Sequence, residues 1–184
     1  MRRIRRPVPP AALWVSGLLV LIAARAVYLS ATHSESETSV EFLVEGDYDV
    51  EAVTGGYGLI LRRASPNGDG TLERARVRLL GVRAPPGLAE REAAEIAGQS
   101  AVMLERMVGG KSIQVRLDRR RIDRDGVFLA YVSADGMLLN EALLRAGLAR
   151  LALSEGDSQS VGRQLRKAEA EARQAGRGIW KPTF

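Results

Sequence analysis

The stretch that decides the fold is residues 77–86, VRLLGVRAPP. Its first part is rich in Val and Leu and its end carries two prolines, so it predicts a β-strand that runs into a tight turn. Apolar residues occupy both faces of the middle of this strand, and Arg78 stands among them. Because a cation in such a place is rarely left alone, we expect Arg78 to have a partner.

Residues 77–86 resemble the strand and loop of the staphylococcal nuclease (thermonuclease) family, whose usual form is VRLxGIDAPE. In that family the strand carries a catalytic Arg, and the loop carries an Asp that binds calcium and a Glu that acts through a water as general base. Arg78 matches the family Arg, whereas Arg83 stands in place of the Asp and Pro86 in place of the Glu. The resemblance thus implies the family scaffold without these two carboxylates.

Residues 48–61, YDVEAVTGGYGLIL, predict two strands joined at Gly55-Gly56. They resemble the first strands of the family, xxIxAIDGDTVxLx, with Gly56 in place of an Asp that is a calcium ligand. A second alignment, over residues 45–48, would keep an acidic ligand at Asp47. It would leave about twice the family's usual spacing before Arg78, so we favour the first.

Residues 123–132, DRDGVFLAYV, resemble the family pattern DRYGRxLAYV, whose second Arg contacts the scissile phosphate. Val127 stands in that place. Among these functional positions only Arg78 is retained. We therefore predict no complete catalytic site, no metal ligands and no cofactor, with calcium required only if the site has been rebuilt.

The remaining pattern predicts a helix in residues 88–108, a strand in 111–117, a hairpin at Asp135-Gly136, a helix capped by Asn140 and a charged helix in 161–175. These elements agree with the fold that the resemblance implies. The predicted class is α+β, mainly β: a five-stranded OB-type barrel with about three helices, preceded by one N-terminal transmembrane or signal helix.

Four domain segments follow from the composition. Residues 1–10 form a basic segment with four Arg, residues 11–31 an apolar run long enough to span a bilayer, residues 32–47 a polar linker, and residues 48–184 the nuclease-like domain. The Arg residues before the span predict a cytoplasmic N-terminus and an extracytoplasmic domain. The alternative is a signal peptide cleaved near residues 24–26, which would release the domain.

The charge distribution gives no independent support for nucleic-acid binding. The chain has 27 Lys and Arg against 22 Asp and Glu, a net charge of +5. Most of this excess lies in the first 39 residues, so the domain is nearly neutral. There are no Cys, and the only His, His33, lies in the predicted linker. Thiolate chemistry is therefore excluded, and the domain has no imidazole for proton transfer.

The candidate ligand-binding residues are all arginines: Arg78, Arg83, Arg119, Arg120 and Arg121. The run 119–121 could contact phosphate or an acidic partner, although three nearby Asp weaken its field and a solvated hairpin tip is the alternative. We predict a membrane-tethered, catalytically degenerate nuclease-like module that binds a protein partner or a nucleic acid or other anion. The alternative is an active extracytoplasmic phosphodiester hydrolase with a site rebuilt from Asp47, Asp49 or Asp69.

Overall fold

The strands and helices are distributed as the hydrophobic pattern indicates. The computed structural model describes residues 37–39, 42–66, 68 and 70–181. The strands in this part are β1 (Glu37–Ser39), β2 (Gly46–Thr54), β3 (Gly58–Ala64), β4 (Leu72–Leu79), β5 (Gly81–Arg83), β6 (Ser112–Arg116), β7 (Phe128–Ala134), β8 (Met137–Leu138) and β9 (Arg150–Ala152). The helices are α1 (Glu90–Val108), α2 (Leu139–Arg145) and α3 (Gln159–Gln174), followed by a 3₁₀ turn at Gly178–Trp180.

Five of these strands close into a barrel. Neighbouring strands follow the order β4, β3, β2, β6, β7, and parallel pairing of Val77 with Phe128 joins β7 back to β4. Alternate side chains point inward and fill the interior, among them Leu59, Leu61, Ile113 and Val115. This arrangement, with three α-helices around it, confirms the predicted mainly β, OB-type barrel.

Strand β4 is interrupted earlier than the sequence suggests. Its alternate residues Ala75, Val77 and Leu79 are buried, and Arg78 lies on the outer face. Leu80 is also fully buried, because Gly81 adopts a φ of +80° and turns the chain into β5. The prediction of apolar residues on both faces around Arg78 was therefore wrong: the adjacent buried leucines belong to a strand end and a turn.

Asn140 has a different role from the predicted helix cap. Helix α2 begins at Leu139, and the Asn140 side chain is buried within its first turn. Its Nδ2 donates to the Leu80 carbonyl at 2.8 Å, and its Oδ1 accepts from the Val132 amide at 3.1 Å. Asn140 thus satisfies backbone groups at the end of β4 and in β7, which fixes the turn that follows Arg78.

The beginning of the described region contributes to the fold. Strand β1 pairs in parallel with the start of β4, Leu43 is buried, and β2 begins at Gly46. Within the linker predicted over residues 32–47, the described residues thus include a paired strand and a buried side chain, although this segment lacks a strand-like apolar pattern. The described residues from Glu37 to Lys181 form one compact unit.

The predicted basic segment and apolar run, residues 1–10 and 11–31, lie outside the described residues, as does His33. In the part that the structure does describe, the helices are too short or too polar to cross a bilayer.

Candidate functional site

One open groove, of about 620 Å³, lies at the end of the barrel where β4 leads into β5. The turn between β2 and β3, the outer face of β4, the loop after β5 and Val127 line it. Because Gly58 pairs with Arg78 in the β3–β4 ladder, the Gly55-Gly56 turn stands beside Arg78. The three segments that resemble the nuclease family therefore meet here.

Arg78 lies in this groove with its expected partner. Its side chain is 45% exposed, and Nη1 donates to the Asp123 carboxylate and lies 3.4 Å from the Asp125 carboxylate. Asp123 is held in turn by its own loop, because its Oδ1 accepts the backbone N–H groups of Asp125 and Val127, each at 2.9 Å. The retained family Arg is thus held by two carboxylates of the same chain.

Two other exposed guanidinium groups line the groove, those of Arg76 and Arg83. Neither forms an ion pair within the described ranges. Arg76 was absent from our sequence-based candidates. The sequence could have indicated Arg76, because a residue two positions before Arg78 on the same strand must lie on the same face. The groove therefore carries Arg76 in addition to the predicted Arg78 and Arg83.

Packing against α1 leaves no room for a carboxylate at position 56. Gly56 has a φ of +78°, and a Cβ on it would lie 2.5 Å from the Ala97 carbonyl oxygen of α1. Nowhere in the described residues do three or more Asp, Glu, His or Cys side chains come together as metal ligands. Calcium needs several oxygen ligands, so the donors around this groove do not fit the ion that the family resemblance implies.

The acidic residues considered for a rebuilt site do not stand beside Arg78. Asp47 and Asp49 lie near the start of β2, opposite Gln114 and Ser112 of β6. The residue of β2 that lines the groove is Thr54, at the other end of the strand. At about 3.3 Å per residue, that end is roughly 16–23 Å away. The third candidate, Asp69, lies outside the described residues.

Arg119, Arg120 and Arg121 do not line the groove. Arg119 lines a separate pocket beside Asp118, at the start of α3, and Arg121 is exposed. Arg120 Nη2 lies 3.3 Å from the Asp157 carboxylate, so this residue is more than a solvated hairpin tip. Arg120 therefore has a structural role, whereas Arg119 and Arg121 are exposed.

Asp118 anchors the loop that carries Arg119, Arg120 and Arg121. Its Oδ2 accepts from the Tyr131 hydroxyl at 3.0 Å and from the Ser158 amide at 2.7 Å. Burial would raise the pKa of Asp118, but these hydrogen bonds and the one from the Arg119 amide outweigh burial and lower the pKa. Asp118 is therefore held as a carboxylate that joins the loop, β7 and the start of α3.

Tyr57 lines the groove, and its hydroxyl lies close to the segment that follows α2. The hydroxyl donates to the Leu148 carbonyl at 2.9 Å. Burial raises the pKa of this phenol, although a hydrogen bond with Ser100 opposes the shift. Tyr57 therefore stays neutral and contributes an aromatic wall to the groove.

Residues 76–182 match the sequence pattern of the staphylococcal nuclease homologues. The chain belongs to this family. An uncharacterized protein of Bacillus anthracis is 27% identical over 110 residues, which are 59% of this chain and 51% of that protein. The chain spans about half the length of this curated relative. As a staphylococcal nuclease homologue, it has the family barrel and Arg78, with Gly56, Arg83, Pro86 and Val127 at positions where the family resemblance implies functional side chains.

Proposed function

We propose that this staphylococcal nuclease homologue binds a phosphate-bearing polyanion in its groove without cleaving it. The observation that carries the proposal is the set of three exposed arginines, Arg76, Arg78 and Arg83, around a groove without a metal-ligand set in the described residues. Guanidinium groups bind phosphate through charge-assisted and often bidentate hydrogen bonds. They need no metal ion to do so.

Loss of hydrolysis follows from the chemistry of the replaced positions. Metal-assisted phosphodiester cleavage requires a cation beside the phosphate and a group that positions or deprotonates the attacking water. Gly56 and Pro86 offer no carboxylate, and the guanidinium of Arg83 repels a divalent cation. The neutral Tyr57 hydroxyl is already donated to a backbone carbonyl. The groove therefore favours binding over hydrolysis.

The rival function is an active phosphodiester hydrolase with a rebuilt site. Asp47 and Asp49 are poor candidates because the length of β2 separates them from Arg78. A protein partner in place of the polyanion is the other alternative, and it predicts no binding of anionic probes in the groove.

The purified full-length chain should bind a fluorescently labelled single-stranded oligonucleotide in EDTA and should not cleave DNA or RNA when calcium is added. Arg83→Ala should weaken binding about tenfold, or ~1.4 kcal/mol, because it removes a guanidinium group that is available to contact phosphate. The measurements are fluorescence anisotropy and a gel assay of the substrate.

Arg163→Ala is the matched control, since Arg163 is exposed on α3 and does not line the groove. Its effect on affinity should stay below about twofold. Calcium-dependent cleavage that Arg78→Ala abolishes would establish the hydrolase instead. Absence of oligonucleotide binding at low salt would reject polynucleotides as the polyanion.

We also propose that residues 11–31 hold the domain at the extracytoplasmic face of a membrane. The support is the basic segment before a 21-residue span that is largely apolar. Protease added to intact spheroplasts should therefore digest the domain and spare a cytoplasmic marker. Protection of the domain while an extracytoplasmic marker is digested would contradict this topology.

A further inference from the structure

The turn at residues 123–127 carries two carboxylates beside Arg78, those of Asp123 and Asp125, and they differ in how firmly they are held. Asp123 is only 12% exposed, and both of its oxygens are engaged, one by Arg78 and the other by two backbone amides. Asp125 is 72% exposed, and its carboxylate contacts Arg78 only at 3.4 Å. Asp123 is therefore part of the turn, whereas the Asp125 side chain is free to leave without breaking it.

A ligand that reaches Arg78 must compete with this internal anion. Because the fold holds Asp125 beside Arg78, its carboxylate acts at an effective concentration of about the millimolar range or above. At Arg78, a simple monoanion gains only the contact that Asp125 gives up. A ligand with several anionic groups also gains Arg76 and Arg83, which line the same groove and form no ion pair with the described residues.

We propose that Asp125 is an internal competitor for Arg78, which rests on the proposed anion-binding function: its carboxylate weakens the binding of every anion that must displace it. Arg76 and Arg78 are two positions apart on one face of β4. Their backbone positions are thus separated by about 6.6 Å. A ligand with two or more anionic groups can contact both guanidinium groups at once. Every anion that reaches Arg78 meets the same opposition from Asp125, and a multivalent anion offsets it through the additional guanidinium groups.

The test uses Asp125→Asn in the full chain, with inorganic tripolyphosphate and acetate as probes in titration calorimetry at constant ionic strength. The substitution keeps the shape of the side chain. It also keeps the turn, to which Asp125 contributes its backbone N–H. Tripolyphosphate affinity should rise about fivefold, the scale of one exposed ion pair. Acetate, with its single negative charge, should bind more weakly than tripolyphosphate in both chains.

Asp135→Asn is the matched control, because Asp135 is an exposed carboxylate in the β7–β8 hairpin that pairs with Lys111 at 2.7 Å. It changes the net charge equally and should alter affinity less than about twofold. An equal rise in both variants, or no rise in Asp125→Asn, would overturn the role of Asp125.

Anion binding by the groove is tested independently of the role of Asp125. If the wild-type chain binds tripolyphosphate and Arg83→Ala loses that binding, the groove binds anions whatever Asp125 does. If neither the wild-type chain nor Asp125→Asn binds tripolyphosphate, both proposals fail.

Discussion

Replacing Gly56 with Asp is expected to destabilise the domain by about 3–5 kcal/mol and to leave it without calcium binding. An Asp at this position would restore the residue type of the family's calcium ligand. In this chain, however, a Cβ there would lie 2.5 Å from the Ala97 carbonyl oxygen, at a φ of +78°. Helix α1 must therefore move to admit any side chain. Urea denaturation and calcium titration calorimetry measure the two effects.

Gly55→Asp is the control for this substitution. Gly55 has a φ of +60°, and a Cβ on it would meet nothing within 4 Å. Asp tolerates this left-handed conformation better than most residues, so the cost should be about 1 kcal/mol. Equal stability of the two variants, or micromolar calcium binding by Gly56→Asp, would show that α1 yields easily and that the site is closer to an active nuclease than we propose.

Replacing Leu80 with Ala should lower the free energy of unfolding by about 2–5 kcal/mol, because it leaves a cavity in a packed core. Leu80 is fully buried at the turn between β4 and β5, and its amide donates to the Ala130 carbonyl at 2.8 Å. Thermal or denaturant unfolding of the variant measures the loss.

Val102→Ala provides the comparison, since Val102 is 46% exposed on α1. That substitution should change the free energy of unfolding by less than about 0.5 kcal/mol. If Leu80→Ala has an equally small effect, the turn after β4 is not the packed junction described above.

Most of the fold could be predicted from the sequence because its signals are local. A short apolar run marks β3 and apolar alternation marks β6. The Asp135-Gly136 pair marks the β7–β8 hairpin, and the helical stripe marks α1. The errors arose where tertiary contacts override local pattern. Asn140 resembles a cap in sequence, yet its buried amide joins Leu80 to β7, which no local rule indicates.

The site could be predicted only in part. Arg78 and Arg83 lie in one strand-and-turn segment, so a shared groove could be expected from sequence. The partners of Arg78 could not, because Asp123 and Asp125 are 45 and 47 positions away and meet it only after the barrel has closed. The closeness of Gly56 to Ala97 is equally invisible, since it depends on how α1 packs against the barrel.

The parallel junction between β4 and β7 has a consequence for the motions of the domain. It is a short seam, Val77–Leu79 against Phe128–Ala130, and it joins segments that are remote in sequence. Such non-local pairing carries a large loop-closure cost and is a natural place for sub-global opening. Opening the seam would separate Arg78 from the turn that carries Asp123. A ligand bound in the groove should therefore slow amide hydrogen exchange in both strands of the seam, including at residues it does not touch.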